Sequence, residues 1–154
     1  MQDTDILENL DDPRSCVCFL LSRAAQTAQR HLRALLEPHG ITPAQYLILE
    51  CLWLKDGVAP KTLGDILRFD SATLTGLIDR LERAELVRRE PDPKDRRALK
   101  LRLTEKGLSL RDPLRDLRKR ANEEILEDFS PHQRETLKNA LVALISKDSS
   151  LNSI

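Results

Sequence analysis

The chain has 154 residues, about one compact domain, and its 25 Lys/Arg balance 25 Asp/Glu to a formal net charge of zero. It holds no apolar run of the roughly 18 residues a membrane span needs, and its five scattered glycines make no phosphate-cradling loop. Three cysteines form no disulfide framework, and His31, His39 and His132 show no metal-ligand spacing with them, so the sequence argues against an enzyme, a metal centre or a cofactor site.

Residues 1–12 carry Asp3, Asp5, Glu8, Asp11 and Asp12 with no Lys or Arg. That is the opposite of a signal peptide, and a mobile acidic tail on a cytoplasmic protein with reduced thiols is expected. Asp12-Pro13 opens a first helix, with proline suited to the first helical position, and the helix runs to about Glu37 before Pro38 and Gly40. Val17, Leu20, Leu21, Ala24, Ala28, Leu32 and Leu35 form its apolar stripe. Thr42-Pro43 caps a second helix that carries Tyr46, Leu47, Leu49, Cys51, Leu52 and Trp53. Cys51 could approach the first helix from there. A short third helix covers 61–68, where Gly64 leaves room for a close neighbour.

Asp70 and Ser71 then cap a fourth helix whose Leu74, Leu77, Ile78 and Leu81 fall at i, i+3, i+4 and i+7. The tight link between the third and fourth helices has helix-turn-helix spacing. The outward face of the fourth helix holds Ser71, Ala72, Thr73, Thr75, Gly76, Asp79, Arg80 and Arg83. Small and hydroxylated residues near its start can approach a base edge or donate to phosphates, and an arginine further on can meet guanine. Residues 86–90 and 98–103 read as two strands joined by a loop with two prolines and two aspartates; Leu99, Leu101 and Leu103 alternate with Lys100 and Arg102. From Leu86 to Leu103 seven Lys/Arg face three Asp/Glu, a local charge of +4 in a neutral chain. A cationic hairpin beside a helix-turn-helix suits phosphate contact and minor-groove insertion of an arginine. Thr104 caps a long helix that Pro113 should kink or divide. Ser130-Pro131-His132-Gln133 is a capping box for a last helix presenting Leu137, Ala140, Leu141, Leu144 and Ile145.

The stretches ITPAQYLILECLW, LTGLIDRLERAELVRR and DRRALKLRLTEKG, with their flanking helices, resemble the MarR (multiple antibiotic resistance regulator) family over roughly residues 13–147. The resemblance implies a mostly α fold with a small β-hairpin wing: a winged helix-turn-helix over 41–103, helical dimerisation regions over 13–40 and 104–148, and tails at 1–12 and 149–154. It implies a sequence-specific, double-stranded DNA-binding regulator, a homodimeric repressor on a pseudo-palindromic operator whose half-sites lie about 34–36 Å apart. Ser71, Thr73, Thr75, Gly76 and Arg80 would face the major groove and its phosphates. Arg97 would enter the minor groove, and Asp95 would hold the wing by pairing with a basic side chain. The family usually has Gly where this chain has Glu85; a left-handed backbone there would cost Glu about 1 kcal/mol.

Two inputs follow from the resemblance. Cys16-Val17-Cys18-Phe19-Leu20-Leu21 is similar to the organic-hydroperoxide-sensing branch, in which Cys18 would be the oxidised thiol; that branch has tyrosines where this chain has Leu32 and Pro43. Cys16 lies nearer the helix start, where the dipole favours a thiolate. The other input is a small aromatic or phenolic effector, with Arg14, Arg23, His31, His39, Tyr46 and Trp53 as candidate pocket walls. Against all of this stands a winged helix used as a protein-interaction module without sequence-specific DNA binding. The basic hairpin and hydroxyl-rich face disfavour it, because such a module more often exposes aromatics or Met.

Overall fold

The computed structural model describes residues 12–95 and 97–147; the expected tails lie outside them apart from Asp12. The first helix starts later than Asp12-Pro13. Pro13–Ser15 form one 3₁₀ turn, closed by the Ser15 N–H on the Asp12 carbonyl at 2.9 Å. The Asp12 carboxylate is taken up by Arg14, through its backbone N–H and an ion pair at 2.6 Å. Helix α1 therefore spans Val17–Leu36 with Cys16 as its N-cap. A 3₁₀ turn over Glu37–His39 ends at Gly40, whose φ of 66° is left-handed.

Helix α2 (Pro43–Leu54) begins with a complete capping box: the Thr42 hydroxyl accepts from the Gln45 N–H, and the Gln45 side chain accepts from the Thr42 N–H at 2.9 Å. Helix α3 (Pro60–Leu67) ends on Arg68 at φ 57°. Its partner α4 (Ser71–Arg83) is capped by Asp70, which accepts the Thr73 N–H at 2.9 Å. Gly64 keeps the pair close, since a Cβ there would press on Leu74 and on the Phe69 carbonyl.

Strands β1 (Val87–Pro91) and β2 (Leu99–Leu103) pair antiparallel, from Val87 opposite Leu103 to Pro91 opposite Leu99. The Leu101 N–H also bonds the Val58 carbonyl at 2.9 Å, tying the hairpin to the loop before α3. After the wing, α5 (Glu105–Ser109) and α6 (Arg111–Ile125) are separate helices that meet at Leu110. Pro113 lies in the first turn of α6, where its missing N–H costs nothing, so the chain breaks before the proline rather than at it. The last helix, α7 (Pro131–Ile145), has the expected Ser130/Gln133 capping box.

The core lies between α2, α3, α4 and the hairpin, where Ile48, Leu49, Leu52, Leu63, Ile78, Leu81 and Leu101 are fully buried; Leu36 and Leu114 close it from α1 and α6. Burying each such side chain contributes about 1.5–3 kcal/mol. Helix α1 runs against α6, with His31 and Glu124 2.9 Å apart between them. The α1 stripe is not a buried one. Of α1, only Leu36 is buried, while Val17 is 63% exposed and Phe19 and Leu20 face outward. Helix α7 has no buried residue, and its Leu141, Val142, Leu144 and Ile145 are exposed.

The turn from α4 into β1 is a Schellman motif. The Leu86 N–H bonds the Leu81 carbonyl at 2.9 Å and the Glu85 N–H bonds the Glu82 carbonyl at 2.8 Å, with Glu85 left-handed at φ 59°. The turn is the one that glycine would make, and Glu85 bears the strain. Glu85→Gly is expected to raise stability by about 1 kcal/mol, read as a higher urea midpoint at unchanged m value. An unchanged midpoint would show that the glutamate costs nothing there.

Candidate nucleic-acid interface

Helix α4 turns Leu74, Leu77, Ile78 and Leu81 into the core and leaves Ser71, Thr73, Thr75 and Arg80 exposed, with Gly76 half-exposed among them. A Cβ at Gly76 would meet no atom within 4 Å. The protein's own packing therefore does not require glycine at this position. The two threonine hydroxyls are engaged within the helix: Thr73 Oγ1 donates to Asp70 Oδ2 at 2.6 Å, and Thr75 Oγ1 donates to the Ser71 carbonyl at 2.8 Å. The Thr73 hydroxyl, then its N–H, hold the Asp70 carboxyl below the usual carboxylate range. The expectation that these hydroxyls donate to phosphates is corrected: in this geometry both protons are already used.

The wing's charge is also more structural than its count of +4 suggests. Arg89 reaches back from β1 to Asp79 at 2.7 Å and to Glu82, clamping the hairpin to α4. Arg88 pairs with Glu90, Lys100 with Asp92, and Arg102 with both Glu90 and Asp56. Asp56 also accepts the Leu103 N–H at 2.9 Å, so this pair fixes the far strand to the loop after α2. Among the described residues of the hairpin, Lys94 and Arg97 form no ion pair, and both are exposed in the connecting loop. Arg96 lies outside the described residues. Asp95 does not pair with a described basic side chain. Its carboxylate accepts the Arg97 N–H at 3.0 Å, which shapes the loop tip, and the expected carboxylate-to-cation tie is made by Asp92 and Lys100 at 3.3 Å.

Cys16 is the N-cap of α1 and exposed. The first-turn N–H groups of Phe19 and Cys18 favour its thiolate and lower its pKa without closing a hydrogen bond to it. Cys18 is exposed one residue inside the helix. Cys51 lines a cavity of about 270 Å³ with residues of α3, the preceding loop and Lys100, none of them from α1; burial, then Glu50, pushes its thiol up.

The candidate effector residues do not converge. Arg23 is exposed on α1 and reaches Gln26, and His39 is exposed beyond that helix. Arg14 is held by Asp12 and His31 faces Glu124. Tyr46 is buried with its hydroxyl on Glu50; burial, then Glu50, raises its pKa. Its ring meets Trp53 edge-on at 6.2 Å. Trp53 lines a cleft of about 150 Å³ with Glu50, Leu54, Arg111, Arg115 and Arg118. Sequence reasoning missed the three arginines, although their i, i+4, i+7 spacing puts them on one face of α6. Arg118 pairs with Glu50 at 2.5 Å and Arg115 with Asp112 at 3.5 Å, while Arg111 forms no ion pair among the described residues.

The fold and this face define a winged helix-turn-helix protein. The MarR family model matches residues 41–99, and the chain belongs to that family. Over 104 residues, 66% of this chain, it is 42% identical to the HTH-type transcriptional regulator TtmR of Methylorubrum extorquens; the match spans 53% of that relative, so the chain covers about half its length. It is 34% identical to the organic hydroperoxide resistance transcriptional regulator of Bacillus subtilis over 66% of this chain and 69% of the relative. Its fold superposes with a TM-score of 0.80 on a crystal structure of mutant MarR from E. coli complexed with operator DNA, at 25% identity, covering 89% of this chain and 99% of that one. Among the described residues no helix is long and apolar enough to cross a membrane.

The open space around Gly76 gives a direct test of its purpose. Gly76→Ala is expected to stabilise the free protein by about 0.5–1 kcal/mol, because alanine is the better helix former and meets no neighbour. Thermal melts check this. A destabilised variant would assign the glycine to packing instead.

Proposed function

We propose that this chain is a sequence-specific double-stranded DNA-binding regulator, acting in the cytoplasm as a homodimeric repressor that occupies promoter DNA. The observation that carries this is the exposed face of α4, small and hydroxylated at its start and cationic further on, beside Lys94 and Arg97 of the wing, which are exposed and form no ion pair among the described residues. A helix with no bulky side chain at its leading end fits a major groove, and a loop-tip arginine fits the minor groove next to it. Ser71, Thr73, Thr75, Gly76 and Arg80 read and position on the major-groove side, Arg97 reads the minor groove, and Asp95 shapes the loop that presents it. The exposed apolar rows of α1 and α7 support a second copy as their cover, since solvated rows of this kind mark association surfaces. A two-fold pair would then present two α4 helices to a palindromic site.

Fluorescence anisotropy on the duplex upstream of the chain's own gene tests this. Binding is expected to be tight and to fall steeply with salt. Arg97→Ala should weaken it by about 1–3 kcal/mol while the sedimentation coefficient stays that of a dimer. Affinity that is flat with salt and unchanged by Arg97→Ala would favour the protein-interaction module.

The cleft between α2 and α6 favours a small aromatic or phenolic anion as the releasing signal. On one wall Arg111, which forms no ion pair among the described residues, stands with Arg115 on Asp112 and Arg118 on Glu50 and suits an anion, and the Trp53 ring suits an aromatic face. Trp53 is the only tryptophan in the chain, so its fluorescence reports this cleft alone. Benzoate and salicylate are expected to quench it saturably, to release the duplex over the same concentration range, and to lose affinity at least about tenfold in Arg115→Ala. If neither acts, and organic hydroperoxide releases DNA reversibly by thiol reductant, the input is oxidation. Loss of that response in Cys16→Ser would then place it on the exposed N-cap thiol, and loss in Cys18→Ser on its neighbour.

A further inference from the structure

The hydrogen-bond polarity of the α4 face is set inside the protein, before any DNA arrives. A threonine hydroxyl has one proton and two acceptor lone pairs. Thr73 Oγ1 lies 2.6 Å from Asp70 Oδ2, and an ionised carboxylate can only accept, so Thr73 is the donor. Thr75 Oγ1 lies 2.8 Å from the Ser71 carbonyl, which also can only accept, so Thr75 is the donor there. Both exposed hydroxyls therefore turn only lone pairs outward.

We propose that Thr73 and Thr75 meet the major groove as hydrogen-bond acceptors, and so select base edges that carry an exocyclic amine, adenine N6 or cytosine N4. This inference rests on the DNA-binding reading above. In the major groove those two amines are the only donors. Guanine O6 and N7, adenine N7, thymine O4 and every phosphate oxygen are acceptors, and a lone pair facing one of them is repelled and left unpaired. Reversing Thr75 would give up its bond to the Ser71 carbonyl. Reversing Thr73 would give up a charge-assisted bond to Asp70, so Thr73 is the more firmly fixed of the two. Arg80, further along the same face and exposed, has only donors to offer, which suits guanine. The half-site is thus read with amine-bearing bases toward the start of α4 and guanine toward its end. Asp70 is the positioning residue, acting on the bases through Thr73.

The test is selection from a randomised duplex library at fixed salt, using the full chain. The wild type is expected to select a defined base pair at two positions of the half-site. Every pair carries one exocyclic amine in the major groove, so the contact is then identified by replacing the selected adenine or cytosine with the analogue lacking that amine, which should cost the wild type about five- to tenfold. Thr75→Val removes the acceptor at nearly constant shape and should relax one of the two positions by about five- to tenfold, the low end of what one base pair contributes; Thr75→Ser should restore it. Asp70→Asn keeps the cap, because asparagine caps as well as aspartate. Its amide N–H can donate to Thr73 Oγ1 and free the hydroxyl proton, so at the other position removing the base's exocyclic amine should no longer cost affinity. Melting curves and retained non-specific binding show that each variant is folded. Full affinity of the wild type for duplexes lacking either amine, or unchanged preferences in Thr75→Val and Asp70→Asn, would overturn the acceptor polarity while leaving DNA binding intact. If the wild type binds no duplex, the regulator reading fails, and this inference with it.

Discussion

The contact on which the molecule's geometry depends is the meeting of Gly107 with the Leu86 carbonyl at the base of the wing. A Cβ on Gly107 would overlap that oxygen, so only glycine lets α5 come so close to the turn leaving α4. Around it, the Thr104 N–H bonds the Leu86 carbonyl at 3.1 Å, the Thr104 hydroxyl donates to the Glu85 carbonyl at 2.6 Å and accepts from the Gly107 N–H at 3.0 Å. Trp53 Nε1 donates to the Gly107 carbonyl at 3.0 Å, and Lys106 reaches the Ala84 carbonyl at 2.8 Å. Carbonyls at the end of α4 and at Gly107 thus find donors from α2 and from the segment that follows the wing. The left-handed Glu85 is tolerated because so many bonds over-determine its turn.

That base fixes where the wing points, and ion pairs then fix how it is held. Arg89 ties β1 to α4, and Arg102 with Asp56 ties β2 to the loop after α2. A net charge of zero hides this division of labour. Most of the hairpin's described cations are matched by carboxylates that position them, which leaves Lys94 and Arg97 at the tip as the charges available to a phosphate backbone. Paired cations release few counterions on binding, so the number of effective contacts is smaller than the count of basic residues.

Much of this was legible in the sequence, and the reasons are local. The period of Leu74, Leu77, Ile78 and Leu81, the alternation of Leu99, Leu101 and Leu103, and the Thr42/Gln45 and Ser130/Gln133 boxes each bind structure to nearest neighbours in the chain. At Glu85 the family resemblance points to glycine and leaves open whether the turn is built differently; the left-handed φ of 59° answers that. What was not legible depends on long-range or competing contacts. Asp12 is taken by Arg14, so α1 begins after Cys16. Asp92 rather than Asp95 meets a described cation, because Lys100, opposite Glu90 in the strand register, reaches diagonally to it. The cleft arginines on α6 acquire meaning only when α2 packs on them. The direction of the Thr73 and Thr75 hydroxyls requires knowing which oxygen each one faces.

The same base connects the wing to helix α1, whose apolar row faces solvent. Helix α1 packs along α6; α6 continues from α5 through Leu110; and α5 carries Gly107. The cleft over Trp53 opens onto this line, since the indole that forms one wall also holds the Gly107 carbonyl. A molecule wedged between Trp53 and the α6 arginines, or a shift of α1 against α6, would act on one hydrogen bond at the root of the wing. Rigid packing transmits such a shift because a close-packed contact cannot yield gradually. With no room for even a methyl group between Gly107 and Leu86, a displacement of α5 must carry the end of α4 with it or break the Thr104 and Trp53 bonds. Either response changes the angle between α4 and the wing, the angle that the proposed two-groove contact would depend on.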